Sequence, residues 1–171
     1  MKQLLVLRHA AAESDSASGR DFDRRLSERG RVDARAIGRA MRDRGLAPER
    51  VIASPARRVV ETIGAVAECL PTPDADYDAR IYDDSLDALL EIVRETDDHV
   101  SHLLIVGHNP CVHALTLTLT VEDEAGRRRS VGLDYPTATL AAIDLRIDRW
   151  ADVAPGMGTI RELIRPRDLA G

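Results

Sequence analysis

The chain has 171 residues, enough for one compact domain with a substantial core. Lys and Arg total 24 against 29 Asp and Glu, a net charge of −5, and aromatic residues make up 3%. This balance argues against sequence-independent nucleic-acid or anionic-membrane binding, and so few aromatics argue against a single-strand stacking platform.

Leu4-Leu5-Val6-Leu7 is a continuous apolar run of the kind a strand buried on both faces requires. A long polar stretch, residues 10–25, follows it. Ser27 offers an N-cap to a helix whose apolar face is Val32, Ala36, Ile37, Ala40 and Met41, ended by Gly45 and Pro48. Val51-Ile52-Ala53 predicts a short strand. Ser54-Pro55 then predicts an N-cap and first helical position, with Val59, Val60, Ile63, Val66, Ala67 and Leu70 on the helix face. Residues 72–80 suggest a loop or weak strand. Leu86, Leu89, Leu90 and Val93 mark a helix capped by Ser85. Leu103-Leu104-Ile105-Val106 is a second buried strand. Asn109-Pro110 predicts the start of a helix through Val112, Leu115 and Leu119. Residues 122–136 are expected to be a charged loop, residues 139–147 a strand and residues 160–164 a last strand. Alternating strands and helices over the whole length predict one α/β domain, residues 1–171, with a mostly parallel central sheet flanked by helices in three layers.

No apolar run reaches the ~20 residues of a membrane span, and residues 1–7 lack the length and cleavage site of a signal peptide. Cys69 and Cys111 do not make a disulfide framework, so a cytoplasmic protein is expected. Lys2 is the only lysine, so 23 of the 24 basic residues are arginine and a single arginine carries less weight than usual.

In open α/β sheets ligands bind beyond the carboxyl ends of the strands. The first buried strand ends in Arg8-His9, the second in Gly107-His108, and the short strand between them leads into Ser54-Pro55-Ala56-Arg57. Two imidazoles and two guanidiniums would then meet at one sheet edge, beside helix N-termini that favour anions. That set suits a phosphate. Taken singly, each residue is as easily structural, a His at a strand end or an Arg exposed in an Arg-rich chain. A metal site is disfavoured: His108 and His113 are five apart, not the four that share a helix face, and no zinc-type quartet exists. No Gly-rich phosphate loop is present.

Leu7-Arg8-His9-Ala10, Ser54-Pro55-Ala56-Arg57 with Glu61-Thr62, and Val106-Gly107-His108-Asn109-Pro110 resemble, in order, three sequence blocks of the histidine phosphatase superfamily, whose fold is phosphoglycerate mutase-like. The small size, the 24–30 segment and Tyr135-Pro136-Thr137-Ala138 are similar to its SixA-type phosphohistidine phosphatase branch. The resemblance implies that His9 is the nucleophile that takes the phosphoryl group. It implies that Arg8 and Arg57 bind phosphate, that His108 donates to phosphoryl oxygens, and that Arg24 and Asn109 bind substrate. It implies no metal or other cofactor. Ala10 stands where the family usually has Gly. The glutamate acid of larger members has no counterpart: its position falls near Arg80, and Asp83 and Asp84 are the nearest candidate acids, though either is as readily a helix-start cap.

An alkoxide leaving group needs a proton in the transition state, whereas a leaving imidazole can be protonated on its distal nitrogen by solvent. The missing acid therefore favours N-phosphohistidine on a protein, such as a His-phosphotransfer domain, with inorganic phosphate as product. The alternatives are a phosphomonoesterase of a small phosphorylated metabolite and an inactive phosphate- or phosphoprotein-binding module.

Overall fold

The computed structural model describes residues 1–83 and 85–169. Six strands, β1 (Lys2–Arg8), β2 (Arg50–Ala53), β3 (Ala75–Tyr77), β4 (His102–Gly107), β5 (Leu140–Leu145) and β6 (Gly158–Ile164), form one sheet in the order β3-β2-β4-β1-β5-β6. β1, β2, β3 and β4 pair in parallel, while β5 runs antiparallel to both β1 and β6. The mostly parallel sheet is therefore as expected, with one reversed strand near its edge.

Both faces are covered. Leu5, Leu7, Val51, Leu104 and Val106 pack against α1 (Glu28–Asp43) and α2 (Arg57–Ala67). Leu4, Val6, Ile52, Leu103 and Ile105 pack on the other side against α4 (Leu86–Arg94), α5 (Cys111–Leu119) and α6 (Arg127–Leu133). Alternate residues of one strand thus enter opposite cores, which is why residues 4–7 of β1 and residues 103–106 of β4 are all apolar. Short helices α3 (Ala79–Tyr82) and α7 (Pro166–Leu169) and 3₁₀ turns at Asp21–Asp23 and Trp150–Asp152 complete the molecule.

Several helix boundaries are set by contacts distant in sequence. Ser27 caps α1 as expected, its Oγ accepting from Gly30 N at 3.1 Å, and Ser85 caps α4 through Ala88 N. Ile37, Ala40 and Met41 face inward on α1 as expected, with Gly30, Ala34 and Gly38 beside them, whereas Val32 is exposed and Ala36 half-buried. α2 begins at Arg57, not Pro55, and Val60 is exposed on it. The reason is that the Ser54 hydroxyl accepts from Ala56 N and meets His108, making a local turn rather than a helix cap. α5 likewise starts at Cys111, because Asn109 is engaged elsewhere.

The expected loop at 122–136 contains helix α6. Its Arg128 donates to the carbonyls of Thr120 and Leu117 at the end of α5, its Val131 is fully buried, and Arg165 of the chain beyond β6 holds the Ser130 carbonyl. Of the basic run, Arg128 is thus used to close a helix end, while Arg127 pairs with Asp123 and Arg129 is exposed.

Candidate active site

β2, β4 and β1 are neighbours in that order, so their carboxyl ends place Ser54, His108 and Arg8-His9 side by side. The rings of His9 and His108 are 5.2 Å apart, and both residues are buried. His9 Nδ1 donates to the Ala10 carbonyl at 2.7 Å, which leaves Nε2 with its lone pair. Burial pushes the His9 imidazole down to about 3; the Ala10 carbonyl opposes this, and His108, Arg58 and Arg8 reinforce it. The ring is therefore neutral at physiological pH.

The backbone around His9 is held from both sides of the cleft. Ala10 N donates to Thr62 Oγ1 at 3.0 Å, and the Thr62 hydroxyl donates in turn to the Arg58 carbonyl. The Ala10 methyl is fully buried in the cluster under α1 and α2, so the residue that replaces the family's glycine is accommodated by packing. Next along, the Ala11 carbonyl accepts from both the backbone N–H and the hydroxyl of Ser27. A Cβ on Gly30 would come within 2.0 Å of that same carbonyl oxygen, so the first turn of α1 is pressed directly onto the nucleophile loop.

Arg8 Nη1 donates to the Tyr135 carbonyl at 3.1 Å, and Asn109 Nδ2 donates to the same oxygen at 2.8 Å. The second arginine in the cleft is Arg58. It is 6% exposed, and its guanidinium donates to the Asp21 carbonyl, to Asp21 Oδ2 and to His108 Nδ1 at 3.3 Å. With Nδ1 accepting, His108 Nε2 carries the proton and donates to Ser54 Oγ at 2.8 Å. Burial, then the nearby Arg58 charge, lowers the Arg8 guanidinium below its usual range. Two desolvated like charges destabilise each other, and an anion between them would relieve both. The Nε atoms of Arg8 and Arg58 are buried without a hydrogen-bond partner among the described residues.

Arg57 points away from this cleft. Its side chain is half exposed and pairs with Glu61 at 3.0 Å, and Glu61 also receives Arg31 and the Leu26 N–H. The sequence pointed to Arg57 for this cleft; the guanidinium that contacts His108 is that of Arg58. The signal was the helical phase: Arg58, Thr62 and Val66 share the buried face of α2, whereas Arg57 and Glu61 share its outer face. Arg24 lies at the rim, donating to Asp21 Oδ1 and to the Glu13 carbonyl. Asp21 therefore joins Arg24, Arg58 and Tyr82. Desolvation raises its carboxyl, but the Tyr82 hydrogen bond and the Arg58 charge outweigh that, and it lies below the usual range.

Asp83 ends α3 with an exposed side chain, and Asp84 lies outside the described residues. Arg80 is turned outward into ion pairs with Asp78 and Glu95. Among the described residues no three His, Cys, Asp or Glu side chains form a metal-binding group, and no helix is long and apolar enough to cross a membrane.

A sequence model of the histidine phosphatase superfamily (branch 1) matches residues 4–83. A relative in Mycobacterium tuberculosis, the uncharacterized protein Rv1276c, is 30% identical over 164 residues, 94% of this chain and 100% of its own. The chain belongs to the histidine phosphatase superfamily. Among solved structures of this superfamily, the putative phosphohistidine phosphatase SixA from Nakamurella multipartitia superposes with a TM-score of 0.83 at 26% identity, covering 96% of each chain. The putative phosphohistidine phosphatase SixA from Agrobacterium tumefaciens gives 0.80 at 24% identity, over 96% of this chain and 98% of that one. The histidine phosphatase fold seen here is thus of the SixA type.

Proposed function

We propose that the protein is a phosphatase that works through a phosphoryl-His9 intermediate and acts on N-phosphohistidine carried by a protein. One observation carries this reading: a buried, neutral imidazole whose Nδ1 is fixed by the Ala10 carbonyl, beside two guanidiniums and a second imidazole. The likeness to structures described as putative phosphohistidine phosphatases supports the choice of substrate.

In the first step His9 Nε2 attacks phosphorus in line. The P–N bond to the leaving imidazole breaks, its electron pair stays on that ring, and solvent protonates the ring. Arg8 and Arg58 hold the phosphoryl oxygens as charge develops on them, and His108 joins them by turning its Nε2–H from Ser54 Oγ to an oxygen. In the second step water attacks the phosphoryl group on His9 and releases inorganic phosphate. Guanidiniums supply the positive charge, so the cycle as proposed needs no metal.

The test is phosphate release from 3-phosphohistidine and from p-nitrophenyl phosphate, with EDTA present, for the wild type and His9→Ala. Release that resists EDTA, is abolished by His9→Ala and favours phosphohistidine is expected. A preference for the ester would move the substrate to phosphate monoesters and keep the His9 cycle. Release unchanged in His9→Ala would overturn the cycle itself.

A further inference from the structure

The sequence contains one phenylalanine and three tyrosines. The phenylalanine and one tyrosine stand together at the active site. Phe22, in the 3₁₀ turn, meets Tyr82, at the end of α3, edge to face with ring centres 5.1 Å apart. Tyr82 meets His108 in the same manner at 5.7 Å, and His108 meets His9 at 5.2 Å. Four rings from four separate stretches of chain thus form one continuous row. The two histidines at its inner end are 7% exposed, while Tyr82 and Phe22 at its outer end are half-buried.

The row also has a direction. In-line displacement by a buried nucleophile sends the leaving group out on the opposite side of phosphorus, toward solvent. Solvent is where the Tyr82 and Phe22 end of the row lies. The rings of the row stand at the 4.5–7 Å spacing that aromatic pairs prefer, and a planar leaving group at that end would extend the row by the same kind of contact. Tyr82 is also held in place, because its hydroxyl donates to Asp21 Oδ2 at 3.0 Å and Asp21 is itself held by Arg58 and Arg24. The ring that would touch the leaving group is therefore braced by the arginine that would touch the phosphate.

We infer that Tyr82 and Phe22 form an aromatic wall that receives the leaving group and selects phosphoryl donors whose leaving group is a flat ring. This rests on the His9 phosphatase reading and goes beyond it, because it assigns selectivity to two side chains that take no part in phosphoryl transfer.

The experiment compares kcat/KM for two pairs of substrates in the wild type, Phe22→Leu, Tyr82→Leu and Tyr82→Phe. The first pair is 3-phosphohistidine and phosphoramidate, which share a P–N bond and differ in the ring. The second is p-nitrophenyl phosphate and methyl phosphate. Each leucine variant is expected to lower the ring-to-no-ring ratio by roughly 2- to 10-fold, the range of a single aromatic contact, with the ringless substrate little changed. Tyr82→Phe keeps the ring and is expected to keep the ratio. A ratio unchanged in both leucine variants, or a loss shared equally by ringless substrates, overturns the wall while leaving His9 chemistry intact. A ring-dependent ratio seen only in the ester pair would retain the wall and overturn the phosphohistidine assignment. No turnover of any of the four would overturn both.

Discussion

Arg58 Nη2 stands 3.3 Å from His108 Nδ1, while Arg57, its neighbour in sequence, pairs with Glu61 on the outer face of the same helix. One helical step of about 100° separates a guanidinium inside the cleft from one outside it. The two substitutions should therefore differ sharply. Arg58→Ala is expected to lower kcat/KM by about 10²–10³, the loss typical of removing one preorganised donor to a developing oxyanion. Arg57→Ala is expected to stay within about 5-fold, since a half-exposed ion pair is worth at most about 1 kcal/mol. Steady-state kinetics on one phosphoryl donor decides this. Equal losses would refute the division of labour.

The neutral state of His9 gives a stability signature. Its folded value, about 3, lies below the roughly 6.5 of an unfolded histidine. Between those values the unfolded chain takes up a proton that the folded chain refuses. Stability from this group is thus complete above about pH 6.5 and falls as the pH drops toward 3, by at most about 1.4 kcal/mol per unit. Urea midpoints measured from pH 7 to 4 should fall less steeply for His9→Gln than for the wild type. Parallel curves would mean that His9 is protonated in the fold.

Gly30 lies where α1 presses on the loop after His9, with no room for a methyl group against the Ala11 carbonyl. Gly30→Ala should destabilise the protein by about 1–3 kcal/mol through overpacking. It should also lower kcat, because the backbone that must yield is two residues from the nucleophile. Gly64 offers a control on α2, where a Cβ meets nothing within 4 Å. Gly64→Ala should be neutral or slightly stabilising.

Tyr135 ties the site to the sheet. Its hydroxyl donates to the Val6 carbonyl at 2.7 Å, and its own carbonyl accepts from Arg8 and Asn109. Tyr135→Phe leaves a buried acceptor short of a donor and should cost about 1–3 kcal/mol, read as a lower urea midpoint. The backbone carbonyl is retained, so kcat should change little.

The parts of this molecule that were legible in its sequence are those encoded locally. Leu4-Leu5-Val6-Leu7 and Leu103-Leu104-Ile105-Val106 announce strands buried on both faces, and His9 and His108 follow as their end residues. What was hidden depends on distant partners. The start of α2 was misplaced because Ser54-Pro55 reads as a cap, and the Ser54 hydroxyl is drawn instead to His108, 54 positions away. Arg57 stood out because it closes the Ser54-Pro55-Ala56-Arg57 block, whereas the buried face of Val59, Ile63 and Val66 takes in Arg58. Phe22 and Tyr82 sit in segments with no periodicity, and only the folded chain brings their rings together. Arg128 looked like part of a solvated run because the carbonyls it closes belong to the preceding helix, whereas Arg129 of the same run is indeed exposed.

The place of β1 in the sheet has a consequence for how activity arises. It pairs on one side with β4, which starts at His102, and on the other with β5, which starts at Leu140. Ser54, His108 and His9 become neighbours when β1, β2 and β4 pair, but the groups that hold Arg8 and His9, the Tyr135 carbonyl and the backbone of Ala138 and Thr139, come later in the chain. A growing polypeptide thus carries its nucleophile for most of its synthesis as an idle side chain. Hydrolytic competence should switch on late, because a nascent fragment ending before residue 135 lacks the groups that hold Arg8 and His9 in place.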